Sequence, residues 1–214
     1  NEYTEEKMDA LSCAMLAPYG GALGLAAGRK SVLIKPNLVS KKPLDTGATT
    51  HPLMLRAMCK QFISAGVKVC VAESHGGTYT EATAKAQLLG CGVTEALKGL
   101  DVELYTKAES TVLHYENGKI SKSFEVLKPV TEVDFIVNMC KLKTHTLATY
   151  SGAAKNTFGV VPGLRKFELH ARFTEIKDFT RMLNDLHLSL PVELNIVDGI
   201  LGMEGNGPTA GLPR

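Results

Sequence analysis

Short continuous apolar runs alternate along this chain with longer stretches of helical spacing. SVLIK (31–35), VKVCVAES (67–74), VDFIVNMC (133–140) and VELNIVDGI (192–200) are the apolar runs. Each has the length and continuity of a strand buried on both faces. Between them lie segments with a 3.6-residue period. YTEEKMDALSCAMLA (3–17) puts Met8, Leu11, Met15 and Leu16 on one side, and Pro18 with the glycines after it ends that helix. HPLMLRAMCKQFISAG (51–66) has Thr50 or His51 at its N-cap, Pro52 at its first position and Gly66 as its close. Residues 80–90 and 93–99 give two shorter helical pieces, and 166–190 reads as one long amphipathic helix buried through Phe173, Ile176, Met182, Leu183 and Leu186.

Strand and helix in alternation predict an α/β fold with a mainly parallel sheet flanked by helices. One stretch departs from the alternation. VLHYENGKISKSFEV (112–126) sets Asn117-Gly118 between two alternating runs, a hairpin signal that predicts an antiparallel insertion or edge. The last residues, LGMEGNGPTAGLPR, read as a Gly/Pro-rich loop. The 214 residues suit a single α/β domain over 1–214, and the loop at the end, leading into no element, reads as part of a longer protein.

Composition narrows the function classes. Net charge is +2 with the basic residues spread along the chain, so neither a nucleic-acid footprint nor an aromatic-interleaved basic stripe is present. No apolar run reaches the roughly 18 residues of a membrane span, and the acidic, polar start is unlike a signal peptide. The five cysteines include no C-x-x-C pair, so the chain carries no zinc or iron–sulfur spacing, and they read as reduced thiols in a cytoplasmic protein.

The chemistry concentrates where the apolar runs stop. The first ends in Lys35 and Asn37, the second in Glu73, the third in Asn138, Lys141, Lys143 and His145, and the fourth in Asp198. In open parallel sheets the ligand crevice lies outside the carboxyl ends of the strands, so these four sets are expected on one edge. A chain extended past Cys140 would put Lys141, Lys143 and His145 on one face. Cations so crowded repel unless an anion lies among them, and crowding of this kind lowers a Lys or His pKa. Ser151, Lys155 and Asn156 follow closely, and Glu204 and Asn206 lie in the glycine-rich loop beyond Asp198. The expectation is a carboxylate- or phosphate-bearing small molecule held by Lys35, Asn37, Asn138, Lys141, Lys143, Ser151, Lys155, Asn156, Glu204 and Asn206. His145, Glu73 and Asp198 are its proton-transfer candidates, and no metal-ligand spacing is seen. The chain carries neither G-x-x-x-x-G-K-[ST] nor G-x-G-x-x-G.

VLIKPNLV, TTHP, VAES, NMCKLKTH, SGAAKNTFGVVPG and VDGILGMEGNGP, in this order, resemble the hallmarks of the family called domain of unknown function 362, from about residue 20 to the end. Many members of that family look like iron–sulfur proteins, with ferredoxin-type four-cysteine motifs following this domain. The resemblance implies a redox setting, with any cluster held in a downstream segment. It leaves a second expectation beside the enzyme or cofactor-binding one, a non-catalytic module docking a ferredoxin-like domain or partner. The family is more distantly reminiscent of the nickel-pincer lactate racemase group, whose α/β domain sets lysine and histidines around an anionic, phosphorylated cofactor. That likeness implies Lys155 and His145 as the analogous residues.

Overall fold

The computed structural model describes residues 2–39, 41–146 and 148–214. Local sequence explains where most elements begin. Helix α1 (Glu5–Leu16) starts where the Thr4 side chain accepts from the Lys7 N–H, with Glu5 and Glu6 at the positive end of the helix dipole. A six-residue helix α2 (Gly21–Ala26) follows, absent from the sequence-based expectation. Strand β1 (Ser31–Lys35) matches the apolar run residue for residue. Helix α3 (Pro52–Ser64) is capped by His51, whose Nδ1 accepts from the Leu53 N–H at 3.2 Å, and Pro52 opens it. Strand β2 (Lys68–Val71) leads to α4 (Glu81–Gly90), begun by a reciprocal Thr80–Thr83 capping box, then to α5 (Val93–Ala96) and a three-residue strand β3 (Val102–Leu104).

Strands β4 (Ser110–His114) and β5 (Ser123–Leu127) form the hairpin, as a two-stranded antiparallel sheet apart from the main one. Asn117-Gly118 is not a two-residue turn, because the pairing closes at His114–Ser123 and leaves a longer loop. That loop hangs on one buried carboxylate: Asp185 accepts from the backbone N–H groups of Lys119, Ile120 and Ser121. Strand β6 (Phe135–His145) runs well past Cys140 and returns as β7 (Thr149–Ser151). Short helix α6 (Ala153–Thr157) comes next.

The single helix expected over 166–190 is two, α7 (Gly163–Arg172) and α8 (Ile176–Ser189). The chain breaks where Phe173 leaves helical geometry and drops its ring into the core, and Glu175 re-enters extended. The two segments then bury different amounts. α8 buries Phe179, Met182, Leu183 and Leu186, while α7 buries only Gly163. Ile176, expected inside, is exposed. Strand β8 (Val192–Glu204) continues into the expected terminal loop past Gly202, and β9 (Leu212–Pro213) pairs back on it.

The main sheet has the order β3-β2-β1-β6-β8-β9, with β7 beside β6. β3, β2, β1, β6 and β8 are mutually parallel, and β9 and β7 are antiparallel. From β1 the chain winds outward through β2 and β3, then crosses to β6 and β8 on the other side. The fold is therefore α/β, and the winding reverses between β1 and β6. One core lies between the sheet and α1–α3, with Phe62 edge-on to Phe135. The second lies on the opposite face under α8 and the hairpin. Each large side chain withdrawn from water in this way contributes about 1.5–3 kcal/mol, against the entropy of ordering the chain. Among the described residues no helix is long and apolar enough to cross a membrane.

Candidate functional site

The carboxyl ends of β1 and β6 flank the point where the winding reverses, the position where open α/β sheets place ligands. A cleft of about 190 Å³ opens there. Its floor comes from the loops after β1 and β2, through Asn37, Glu73 and Ser74. One wall is the β6–β7 extension with Lys143, His145 and Ser151, and Lys155 and Asn156 of α6 lie below it. The rim is α7, which contributes Lys166, Phe167 and His170.

Charge in this cleft is unbalanced. Glu73 is its carboxylate, and Lys35 forms a fully buried ion pair with it. Gly159 makes room for the pair, since a Cβ there would lie inside contact distance of both Glu73 oxygens and the Lys35 ammonium. Three further lysines reach the same space without an ion pair among the described residues. Lys143 Nζ donates to Asn37 Oδ1 at 2.8 Å and to the Ala48 carbonyl at 2.6 Å. Lys155 lies over the rings of Phe158, at 4.8 Å, and Phe179, at 5.9 Å. Lys166 donates to the carbonyls of Ser74 and His75.

Burial disfavours the charged form of each amine. It pushes Lys143 and Lys166 down to about 7 and Lys155 to about 8, against the pull of Glu73 in the other direction. Neighbouring cations add to the shift, as the crowding argument expects, but loss of water is the larger cause. His145 is lowered to about 4, by burial first and then by Lys155 and Lys143. Its ring is neutral at pH 7, and Nδ1 accepts from the Ala148 N–H, so the proton sits on Nε2. His170, stacked on Phe179 at 4.6 Å, is also lowered by burial.

Beneath the cleft runs a chain of aligned amides. Asn37 Nδ2 donates to Asn156 Oδ1, Asn156 Nδ2 to Asn138 Oδ1, and Asn138 Nδ2 to Asn195 Oδ1, at 2.9, 2.7 and 2.7 Å. Every dipole points the same way, which strengthens each bond. The chain fixes Asn37 with its oxygen toward Lys143. Asn138 and Asn156 are thus the supports of the cleft floor, with Asn138 directly beside Lys35 in the β1–β6 register.

The structure separates other expected members from this group. Lys141 and Lys143 take different partners, and the β6–β8 register shifts between them. Lys141 pairs instead with Asp198 at 2.8 Å, both side chains 1% exposed. Asp198 also accepts from the Tyr3 hydroxyl at 2.6 Å and the His51 backbone N–H at 2.9 Å. Tyr3 and His51 stack at 3.7 Å over this closed set. Asp198 does not line the cleft. Glu204 is exposed and paired with Arg214, and Asn206 lies outside the lining, which includes the nearby Pro208. Lys166 and His170 are cleft residues that the sequence reading did not include. Their helical spacing, i and i+4 on one face, was the available signal, hidden by the assumption of one long buried helix.

A nickel or iron–sulfur centre finds no protein ligand set here. Among the described residues no three His, Cys, Asp or Glu side chains are grouped to hold a metal ion. The amines of the cleft suit the anionic part of a cofactor; nothing in the arrangement supplies a metal.

Over 207 residues the chain is 29% identical to a thylakoid-associated protein of Synechocystis sp., covering 94% of this chain and 61% of that protein. Its fold is similar to that of the lactate racemase apoprotein from Thermoanaerobacterium thermosaccharolyticum, with a TM-score of 0.56, 16% sequence identity, and coverage of 94% of this chain and 49% of the racemase. The chain therefore spans about three fifths of the length of the first protein and about half of the second. A family model matches residues 32–214, from the second residue of β1 through every element that builds the cleft, and the chain belongs to the family described as domain of unknown function 362 (DUF362).

Proposed function

We propose that this chain binds an anionic small molecule, bearing a carboxylate or phosphate, in the cleft between the carboxyl ends of β1 and β6, as the ligand-holding part of an enzyme working in a redox setting. One observation carries the reading. Lys143, Lys155 and Lys166 converge on a cleft whose carboxylate, Glu73, is already paired with Lys35. Buried amines without a counter-ion are costly when charged, and an anion supplies the missing partner to all three at once.

The racemase with the similar fold acts on lactate, itself a small carboxylate. That likeness supports the fold; the choice of an anion rests on the lysines. The alternative, a basic surface that docks a ferredoxin-like domain, needs its charge on an accessible face. Lys35 and Lys143 are fully buried, which favours a small ligand. We place this activity in the cytoplasm, with the five thiols reduced.

The test is thermal denaturation with sulfate, phosphate and a dicarboxylate. At ten times Kd an anion adds about 1.4 kcal/mol, or about 3–6 °C for a chain of this size. Lys155→Ala and Lys166→Ala should each remove most of that gain. No gain with any of the three anions would overturn the proposal.

A further inference from the structure

We propose that Lys143 is a nucleophilic amine that forms an imine with a carbonyl compound carrying a carboxylate or phosphate. The inference rests on the anion-binding reading and narrows it to a substrate class. The geometry at Nζ carries it. Both acceptors, Asn37 Oδ1 and the Ala48 carbonyl, are neutral, and among the described residues no carboxylate lies within 4.0 Å. A neutral amine has two N–H bonds and one lone pair. Here the two N–H bonds meet the two acceptors, and the lone pair is left for the cleft that Lys143 lines.

The acceptor at Asn37 cannot be exchanged for a donor by an amide flip, because Nδ2 is held by Asn156, and Asn156 in turn by Asn138. The amide chain therefore presents oxygen to Lys143 and keeps its nitrogen oriented. Burial first, and then the charge of Lys155, disfavour a third proton on Lys143 against the pull of Glu73, an arrangement that activates amines for Schiff-base chemistry. The other cleft lysines differ. Lys35 is paired with Glu73, Lys155 lies over two rings, and Lys166 stands half-buried at the rim on α7.

In the step itself, the Nζ lone pair attacks the carbonyl carbon, and the C=O π electrons move to oxygen. That oxygen takes a proton from the Lys155 ammonium, and the nitrogen returns one to the Lys155 amine, giving a neutral carbinolamine. Lys155 then protonates the hydroxyl, which departs as water, and takes back the remaining N–H proton as the C=N bond forms. One amine and one carbonyl thus give one imine and one water, with no oxidant or reductant needed. The ligand's anionic group stays with Lys166.

The test is reductive trapping of the 214-residue chain with glyoxylate, an anionic aldehyde, and cyanoborohydride at pH 7, followed by peptide mass mapping. The expected result is modification of Lys143 at least tenfold faster than of exposed lysines, whose free-amine fraction at this pH is roughly a thousandfold smaller. Sulfate should suppress it. Lys143→Arg should abolish the adduct while keeping the wild-type far-UV circular dichroism and a cooperative thermal transition, which shows that the variant folds. Modification spread over exposed lysines, or centred on Lys155 or Lys166, overturns the proposal. So does sulfate stabilisation with no trapping. If sulfate fails to stabilise the wild type while Lys143 is still trapped, the nucleophile stands and the anion reading falls.

Discussion

Lys143 Nζ donates to Asn37 Oδ1 at 2.8 Å, and through that contact the extension of β6 is tied to the loop leaving β1. The partner is an amide, so it orients the amine without stabilising its charge. Asn37→Asp puts a carboxylate at that contact, with loss of the Nδ2 donation to Asn156. A carboxylate in hydrogen-bond reach raises a lysine pKa, so the Lys143 titration should move upward from about 7. NMR of the Nζ-attached methylene across pH 6–11 reads this directly. An unchanged midpoint in Asn37→Asp would show that Asn37 does not control the amine.

The cleft lysines also give stability a signed dependence on pH. In the unfolded chain these amines keep their protons to about pH 10.4. In the folded chain Lys143 and Lys166 release theirs from about 7, and Lys155 from about 8. The unfolded state therefore binds more protons over this interval, and stability rises with pH. The gain is expected between about pH 7 and 9. Above that, the buried thiols act in the opposite sense, with Cys59 and Cys70 pushed up to about 12 by burial and therefore less ionised than when unfolded. Below pH 6.5 stability should fall, since His51 and His145, lowered to about 4, are protonated first in the unfolded chain. Denaturant titrations at half-unit intervals, without polyvalent anions, check the rise. A flat or falling profile from 7 to 9 would contradict the assigned shifts.

Asp198 is given a structural role here, and its removal distinguishes that from proton transfer in the cleft. Asp198→Asn leaves Lys141 buried without its counter-ion, a change that typically costs about 3–5 kcal/mol. Tyr3 and His51 lose their shared acceptor as well. The thermal midpoint should drop by roughly 10 °C or more, while the further rise produced by sulfate should remain. Full stability with lost sulfate binding would place Asp198 in the cleft after all.

Gly159 supplies a steric test of the Lys35–Glu73 pair. Any side chain at this position overlaps both partners, and Lys35 is fully buried. Gly159→Ala should destabilise by about 1–3 kcal/mol, the usual cost of overpacking a closed site, as measured by chemical denaturation. A neutral outcome would mean that the pair can shift aside.

Most of the scaffold was legible in local signals. Strand β1 is bounded by Lys30 and Pro36, and its apolar continuity fixed it to the residue. His51-Pro52 marked the start of α3 through capping chemistry. Weak local signals were missed. β3 has three residues, and its pairing with β2 comes from the sheet. The break at Phe173 has no glycine or proline to mark it and follows from core packing of the ring. That break also hid Lys166 and His170, because it turns α7 across the cleft. Lys35, Asn37, Glu73, Lys143 and Lys155 were legible as a group because parallel topology delivers strand ends to one edge. The departure of Lys141 and Asp198 was not, since it depends on a register shift and on Tyr3, 195 positions from Asp198 in sequence.

Calorimetric titration with sulfate tests the anion site most directly, because sulfate keeps its charge over the whole range in which the lysines titrate. Lys143, Lys155 and Lys166 face Glu73, Lys35 and His145 across the cleft, and an added dianion raises the pKa of all three amines. The account predicts saturable binding to one site, with proton uptake visible in buffers of different ionisation enthalpy. Affinity should weaken as pH rises through 7–8, and Lys155→Ala and Lys166→Ala should each lose it. Absence of binding at pH 6.5, or binding that does not change between pH 6.5 and 9 and survives both substitutions, would contradict the assignment of this cleft to an anionic ligand.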